Sequence, residues 1–428
     1  MRPGARFSRL ASGYNADLIR PHQIWSMLMP AEYPCAVPYD PETRREWTQL
    51  IVPLDEYAAR LQAVRAQMRA MEFDALLVVG NSENPASVSY LTNYKPHGGV
   101  ALLLVPLDGE PVLVFNYILH GEPMHSMIWD AIIEDVRPAA MTPGTPPGTV
   151  AELTLEAIQE AGLAGATIGV ASLAHLPMSI GSELLRELPD VTWQEGAAAV
   201  LRPRAIKSAR EIEFFRRACR ITRRALAAGV AACEPGTSER EVAHIIHATM
   251  MAEGSEAIGF GTAVSSGPRA GIKHADPTGR VMAQGDMVFL DCGATVGGYH
   301  ADLSRTLTVG PAGSDEQAML DTSVEMFREC LKVIRPGAPI RDLSRAAERV
   351  ARRAGFSTDY MPNGLGHGLG LSLFEMPFLG PTDDSLMEEG MVFALEPMLV
   401  RYGVGTAVVE ESVLVTADGA EVLSGAEW

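Results

Sequence analysis

The chain has 428 residues, more than a single domain usually holds, so its length predicts two domains. Its 53 acidic and 35 basic residues give a net charge of −18, which argues against a nucleic-acid partner because such a partner requires a basic face. The five cysteines lack CxxC spacing and indicate reduced thiols rather than a disulfide framework. With no apolar run long enough to span a membrane, the sequence predicts a cytoplasmic protein without a membrane partner.

The first 200 residues divide into an arm and a domain. Residues 1–50 show little periodicity, and we predict an extended arm that packs on the body or on a partner subunit, with a disordered tail as the alternative. Residues 51–200 alternate strand and helix patterns, which predicts a covered α/β sheet. In chain order these are the helix LDEYAARLQAVRAQMRAM, the strands FDALLVVG, GVALLLVP and EPVLVF, the loop RPAAMTPGTPPGTV, the helix VAELTLEAIQEAG and the strand ATIGVA.

A second domain is predicted over residues 201–428, with the junction at AVLRPRAIKS. Ser208 and Glu211 form a predicted capping box at the start of a long helix, and Ser238 or Thr237 is predicted to cap the next helix. Further helical patterns and several strand patterns follow, including MVFLDCG, GMVFALEPM and ESVLVTADG. The second domain is therefore predicted to combine helices with an antiparallel sheet built from hairpins.

The stretch Asp291–Asp302, DCGATVGGYHAD, contains the first ligand-type residues of this domain. A predicted strand leads to Asp291, a turn at Gly297 and Gly298 follows, and an extended segment leads to Asp302, so a hairpin can bring the two carboxylates together. Facing carboxylates in an apolar setting repel unless a proton or a cation lies between them. Three more ligand-type residues follow, His367, Glu396 and Glu410. Each alone is more often structural, but oxygen ligands with one imidazole together favour a pair of divalent first-row metals.

Six segments of the second half resemble, in their order, the pita-bread metallohydrolases, which include Xaa-Pro aminopeptidases, prolidases, methionine aminopeptidases and creatinase. The segments span residues 206–424 and are IKHADPTGR, DCGATVGGYHADLSRTLTVG, IRPGAPIRDL, GLGHGLGLSLFEMP, EEGMVFALEPM and VVEESVLVT. The motif NPASVSYLTNY resembles, more weakly, the N-terminal domain of creatinase and prolidase. The resemblance implies an α/β N-terminal creatinase-like domain, an α+β pita-bread catalytic domain and a homodimer.

The resemblance also implies the roles of individual residues. Two divalent ions, manganese, cobalt, iron or zinc, would be held by Asp291, Asp302, His367, Glu396 and Glu410. Glu396 would in addition take the proton when a metal-bridging hydroxide forms, and His274 would steady the tetrahedral intermediate or assist the leaving nitrogen. Glu375 is predicted to orient His367 or the metal shell from behind. Because creatinase keeps the fold without metals, the intact ligand set indicates a metal-dependent member.

Three positions depart from the pattern of prolidases and Xaa-Pro aminopeptidases. Phe374 and Asn363 stand where those enzymes carry histidines, and Val408 stands where they carry an arginine. We predict that Phe374, Asn363 and His274 contact the substrate. Because phenylalanine and valine form no side-chain hydrogen bonds, the changes indicate either a different substrate or drift within a peptidase.

Three functions remain open. The first is a metal-dependent hydrolase of a C–N bond, in its simplest form an Xaa-Pro peptidase of the prolidase or aminopeptidase P type. The second is a hydrolase or lyase of a small non-peptide metabolite on the same scaffold, as in creatinase, ectoine hydrolase or a related organosulfur lyase. The third is a non-catalytic binding module, against which the intact ligand set argues.

Overall fold

The computed structural model describes residues 50–96, 98–116, 132–139, 148–357 and 364–425. The predicted arm over residues 1–50 therefore lies outside the described residues except for Leu50. The described residues form two compact units. The first unit runs to Ala197 apart from Gln62–Gln67, and the second consists of that segment and the residues from Ala198 onward.

The first unit is built on one mixed sheet. Its strands are β1 (Ala75–Asn81), β2 (Val100–Pro106), β3 (Val112–Asn116), β4 (Asp135–Ala139), β5 (Thr167–Ala171) and β6 (Thr192–Glu195). The strand order is β4-β3-β2-β1-β5-β6, in which β1 pairs antiparallel with β2 and parallel with β5. Nearly every residue of β1 and β2 is buried, as expected for continuous apolar runs that are covered on both faces.

Helices α1 (Leu54–Ala70), α2 (Ala86–Thr92), α3 (Val150–Glu160) and α4 (Met178–Glu187) accompany this sheet. α3 begins at a capping box formed by Thr149 and Glu152. One prediction was wrong, because Arg137–Ala139, predicted as part of a loop, belong to β4. That strand accommodates Pro138 because it lies at the edge of the sheet and pairs only with β3. Residues 140–147 of that predicted loop lie outside the described residues, and its last residue, Val150, begins α3.

Five helices follow, α5 (Ala197–Ala205), α6 (Ala209–Ala232), α7 (Glu239–Ala252), α8 (Ser314–Leu331) and α9 (Arg341–Arg353). The predicted capping box of α6 is present, since the Glu211 N–H donates to Ser208 Oγ at 3.2 Å and the Ser208 N–H donates to Glu211 Oε2 at 2.7 Å. Ser238, rather than Thr237, caps α7. α9 is amphipathic and buries a stripe at helical spacing, Leu343, Ala346, Ala347 and Val350.

The strands of the second unit are β7 (Ala263–Ser266), β8 (Met287–Cys292), β9 (Thr295–Val296), β10 (Tyr299–His300), β11 (Leu303–Thr308), β12 (Gly366–Gly368), β13 (Glu375–Phe378), β14 (Val392–Leu395), β15 (Met398–Arg401), β16 (Gly405–Val408), β17 (Glu411–Thr416) and β18 (Gly419–Val422). They form the sheets β11-β8-β7 and β13-β12-β14-β17-β18 with two short hairpins, β9–β10 and β15–β16. The described pairings in this unit are antiparallel, as the sequence predicted.

Two hydrophobic cores fix the strands of the second unit. One contains residues of α6, α7, β8 and β11, and the other contains residues of α8 and α9. Alternate residues of β14 belong to different cores, since Ala394 lies in the first and Phe393 in the second. Strand β14 therefore packs against a hydrophobic core on each of its two faces. In the described part of the chain, no helix is both long enough and apolar enough to cross a membrane.

Candidate metal centre

The hairpin of β8 and β11 holds the first two candidate ligands. Asp291 lies in β8 directly opposite Ser304 of β11, and Asp302 immediately precedes β11. Between them the chain turns at Gly297 and Gly298, whose φ angles of +60° and +77° favour glycine. The local sequence therefore suffices to bring the two aspartates to one end of a two-stranded ladder.

The remaining carboxylates come from the five-stranded sheet. Glu410 immediately precedes β17, and its N–H donates to Ser304 O at 3.2 Å, which ties it to the aspartate hairpin. One ligand atom from each of Asp291, Asp302 and Glu410 lies within 4.8 Å of the others. Glu396 follows β14, and its N–H donates to Leu365 O at 2.9 Å, two residues before His367. Burial raises the pKa values of the other three carboxylates, and the negative charge of Glu396 raises them further.

His367 of β12 completes this group of five. Its Nε2 is 3.6 Å from Asp302 Oδ2, while its Nδ1 is 3.0 Å from Gly368 O. An Nδ1–H donated to the backbone leaves the Nε2 lone pair free to bind a metal. Burial lowers the pKa of His367, which favours this neutral form. The strand reaches the site only because residue 366 is glycine, since a Cβ there would lie 1.8 Å from Ala394 O.

The electrostatics of the site are those of a cation site. Burial and the nearby charge of Glu396 raise the pKa of Asp291 to about 8, and burial raises that of Glu396 to about 7. Burial followed by neighbouring carboxylates raises the pKa values of Asp302 and Glu410 well above the ordinary range. Within the described residues, Asp291 Oδ1 and Asp302 Oδ1 are buried without a hydrogen-bond partner, and no lysine or arginine pairs with the four carboxylates. Oxygen donors that lack partners fit divalent metal ions.

These pKa shifts predict how the metal-free protein responds to pH. In the folded state the pKa values of Asp291 and Glu396 are about 8 and 7, whereas both lie near 4 in the unfolded chain. At pH values between the unfolded-state and folded-state pKa values, the folded state therefore binds more protons than the unfolded state. The free energy of unfolding should therefore fall as pH rises from about 6.5 to 8.5, a window above the usual histidine pKa. We expect thermal melts of metal-stripped protein to show this decrease and a saturating divalent ion to remove most of it. A flat profile would contradict the shifts.

His274 lies beside this cluster on an irregular loop. Its Nδ1 is 3.9 Å from Asp291 Oδ2, and two-thirds of its side chain is exposed. Its φ of +57° is uncommon for a residue other than glycine, so surrounding contacts must hold the loop in place. Burial, followed by the charge of Lys273, lowers the pKa of His274, which is therefore neutral at neutral pH.

Glu239, which the sequence analysis did not single out, fastens this loop from α7. Its buried carboxylate accepts hydrogen bonds from Ser266 N at 2.9 Å, Ser266 Oγ at 2.8 Å, Thr278 N at 3.0 Å and Thr278 Oγ1 at 2.7 Å, and it also pairs with Arg269. The carboxylate thus joins both ends of the segment that carries His274. Its local sequence gives no sign of this role, because the partners lie 27 to 39 residues away.

We expect Glu239→Ala to destabilise the protein by several kcal/mol, because a charged acceptor is lost and buried donors are left without partners, each costing about 1–3 kcal/mol. Urea unfolding should show the loss, and limited proteolysis should cut within 267–280 more readily than in the parent. The matched control is Glu241→Ala on the same helix, which removes an exposed capping contact to Ser238 and should cost far less. Equal effects of the two changes would contradict the assigned role.

The neighbouring bend carries Phe374, whose predicted substrate contact stays a prediction, and Glu375. The Phe374 ring lies against the His367 ring with centroids 4.4 Å apart, next to the candidate ligands. Glu375 does not orient His367 as predicted. It pairs instead with Arg204 and with Lys207, whose Nζ is 3.6 Å from Glu375 Oε2, and all three side chains are buried. A buried carboxylate between two cations is satisfied there and has no reason to turn toward the imidazole.

Val408 and Asn363 are the other two positions that depart from the family pattern, and the structure describes only Val408. Val408 is buried in a small apolar cluster with Ala263 and Phe289, and Ala263 lies directly opposite Asp291 in the sheet. Apolar packing beside the carboxylates helps to desolvate them, which is consistent with their raised pKa values. Asn363 lies outside the described residues, so its predicted substrate contact stays a prediction.

Comparisons with known proteins agree with this geometry. The sequence pattern of metallopeptidase family M24 matches residues 213–417, and that of the creatinase/prolidase N-terminal domain matches residues 60–206. The chain is 31% identical over 224 residues to an Xaa-Pro dipeptidase of Pyrococcus furiosus, an alignment that spans 52% of this chain and 64% of that relative.

Solved structures give the same fold. An Xaa-Pro dipeptidase from Bacillus anthracis superimposes with a TM-score of 0.76 at 22% identity, covering 87% of this chain and 98% of that one. A prolidase from Pyrococcus horikoshii gives 0.74 at 24% identity, covering 86% and 99%. The predicted α/β creatinase-like domain and pita-bread domain are thus confirmed, and the family implies divalent metal ions. Residues 213–417 therefore form a domain of metallopeptidase family M24, and a creatinase/prolidase N-terminal domain over residues 60–206 precedes it.

Proposed function

We propose that Asp291, Asp302, His367, Glu396 and Glu410 hold two divalent metal ions. The observation that carries this proposal is the set of four carboxylates that are desolvated together without a lysine or arginine partner among the described residues. Four negative charges are balanced by two divalent cations, whereas a single ion would leave two charges desolvated and uncompensated. Manganese, cobalt, iron and zinc all accept such ligands, and manganese is our first candidate.

We propose further that the protein hydrolyses peptides before proline, as an Xaa-Pro peptidase. The support is the named activity of the similar Xaa-Pro dipeptidase together with a site suited to polarising a carbonyl. Bound metal ions would supply Lewis acidity and a water of lowered pKa. Glu396 can accept the proton of the attacking water and pass it to the leaving nitrogen through an oxygen that is not held by a metal ion. His274, neutral and beside Asp291, can donate a ring N–H to the substrate carbonyl oxygen.

A second candidate, turnover of a small non-peptide metabolite, is favoured by Phe374. This ring packs against the ring of His367, is more than half exposed and offers no hydrogen bond to a peptide. The substrate would then be a small amide, amidine or betaine-like compound. Two further proposals are a homodimer, which the family resemblance implies, and a cytoplasmic location, which the sequence predicted from its cysteines and apolar runs.

A hydrolysis screen tests these alternatives. Purified protein with added manganese or cobalt is assayed on Xaa-Pro dipeptides, on longer Xaa-Pro peptides and on matched peptides with alanine in place of proline. We expect turnover that requires both proline and metal. Turnover confined to small non-peptide compounds would select the second candidate, and in that case Phe374→His should bring in Xaa-Pro cleavage. Failure on every substrate with fully loaded protein would contradict both.

A further inference from the structure

Glu410 reaches the candidate metal centre from a different sheet than the two aspartates. Asp291 and Asp302 are held by the hairpin of β8 and β11, whereas Glu410 immediately precedes β17 of the five-stranded sheet. One carboxylate oxygen of each lies within 4.8 Å of the others. The separation of these carboxylates therefore depends on how the two sheets are joined, and a small shift of Glu410 changes what the three oxygens can bind.

Arg305 of β11 lies at this junction between the two sheets. Its guanidinium group donates through Nη1 to Ser304 O at 2.8 Å and to Glu410 O at 2.9 Å, and through Nη2 it pairs with Glu411. The Glu410 N–H donates to the same Ser304 O at 3.2 Å. One side chain thus contacts the backbone of the aspartate hairpin, the backbone of a candidate ligand and the side chain that follows this ligand.

Glu411 holds the guanidinium group from β17. Its side chain is fully buried, and within the described ranges its Oε2 has no hydrogen-bond partner, so Arg305 is the group that compensates its charge. Glu411 also lies opposite Leu395 of β14, the residue before Glu396. A guanidinium group suits this place because its donors lie in one fixed plane and can bind a carboxylate and carbonyl oxygens together.

A second contact joins the same two segments without a charge. The Asp302 N–H donates to Ser412 Oγ at 3.2 Å, and this hydroxyl donates to Asp302 O at 3.2 Å. The contact remains when the guanidinium group is removed, and the ladder between β8 and β11 remains as well. Loss of Arg305 is therefore expected to shift Glu410 without separating the two sheets or the two aspartates.

We propose that Arg305 is a positioning residue, which fixes Glu410 at the distance from the two aspartates that a pair of metal ions requires. The inference rests on the proposed two-metal centre. Groups that hold a metal ligand in place contribute about 10–100-fold to metal affinity. Without the guanidinium group, the aspartate hairpin and His367 still bind one ion, but the Glu410 carboxylate is no longer held for a second. The protein then retains one ion instead of two.

The test is a manganese titration of metal-stripped protein, with the bound ions counted by elemental analysis after desalting. We expect two ions in the parent protein and one in Arg305→Met, with the second ion bound about 10–100-fold less tightly in the variant. The matched control is Arg137→Met, which removes another largely buried arginine, paired with Asp135 in β4 of the first unit. This control should keep both ions.

A double variant separates positioning from stability. Arg305→Met alone leaves the buried charge of Glu411 without a partner, which also destabilises the fold. Arg305→Met combined with Glu411→Met should recover the urea midpoint of unfolding, because no buried charge then lacks a partner. It should still retain one ion, because the donor to Glu410 O is missing. If Arg305→Met does not fold, the double variant carries the test by itself.

The outcomes distinguish this inference from the proposal beneath it. Two ions in Arg305→Met at the affinity of the parent, or recovery of the second ion in the double variant, would overturn the positioning role and leave the two-metal centre standing. Loss of the second ion in the Arg137→Met control would also overturn it, because general destabilisation would then explain the loss. Fewer than two ions in the parent under every loading condition would contradict the two-metal centre itself, and this inference with it.

Discussion

Asp302→Asn is expected to abolish metal-dependent activity while leaving the fold intact. An oxygen of Asp302 lies in the cluster shared with Asp291 and Glu410, and its Oδ2 is 3.6 Å from His367 Nε2. The amide has the same shape but no negative charge. Loss of groups that only support a metal ligand costs about 10–100-fold, so loss of the ligand itself should exceed a hundredfold.

The thermal stability of this variant without metal should increase, whereas its activity is lost. Without metal, Asp302 adds a charge to a desolvated carboxylate cluster, and removing that charge relieves repulsion. Metal-stripped Asp302→Asn should therefore unfold at a higher temperature than metal-stripped parent at pH 8. Asp315→Asn, which changes an exposed aspartate on α8, is the control and should alter neither property. Full activity in Asp302→Asn would contradict the assignment of Asp302 as a ligand.

Glu375→Ala is expected to cause the largest loss of stability among the changes considered. Its carboxylate is buried with Arg204 and Lys207, and its pKa lies below the ordinary range because these two cations outweigh the effect of burial. Removing it leaves two buried positive charges uncompensated, and breaking a buried pair in this way costs about 3–5 kcal/mol. The bend that carries Phe374 should also loosen, because the Ser372 N–H donates to Glu375 Oε1 at 3.1 Å.

Urea unfolding against a matched control measures this effect. Glu421→Ala removes the partner of Arg216 in a pair whose side chains are both more than a third exposed, and it should cost no more than about 1 kcal/mol. A cost for Glu375→Ala as small as that for Glu421→Ala would contradict the structural role. Glu375→Ala combined with Arg204→Met and Lys207→Met should recover much of the loss, since no buried charge then lacks a partner.

The sequence predicted what local patterns determine. The strand ending near Asp291, the glycine turn and the extended segment after Asp302 lie within 22 residues, and the hairpin of β8 and β11 follows from them. The capping box is likewise predictable, because Ser208 and Glu211 lie only three positions apart. That His367, Glu396 and Glu410 join the aspartates was expected from the family resemblance, because no local pattern relates such distant segments.

Long-range partners account for what the sequence did not predict. Glu375 pairs with Arg204, 171 residues away, and Glu239 fastens a loop up to 39 residues away. Neither segment has a periodicity or cap that marks its partner. Similarly, the composition of RPAAMTPGTPPGTV predicted a loop, yet Pro138 lies in β4, whose edge position makes the missing proline donor unnecessary. In each case the deciding contact depends on tertiary structure.

The most direct measurement is the metal content of purified protein after loading with manganese and desalting, for the parent chain and Asp302→Asn side by side. Elemental analysis should give about two ions per parent chain, as a two-metal site requires, and a clear deficit in the variant. No retained metal in the parent under any loading condition, or equal content in both proteins, would contradict a metal centre at these residues.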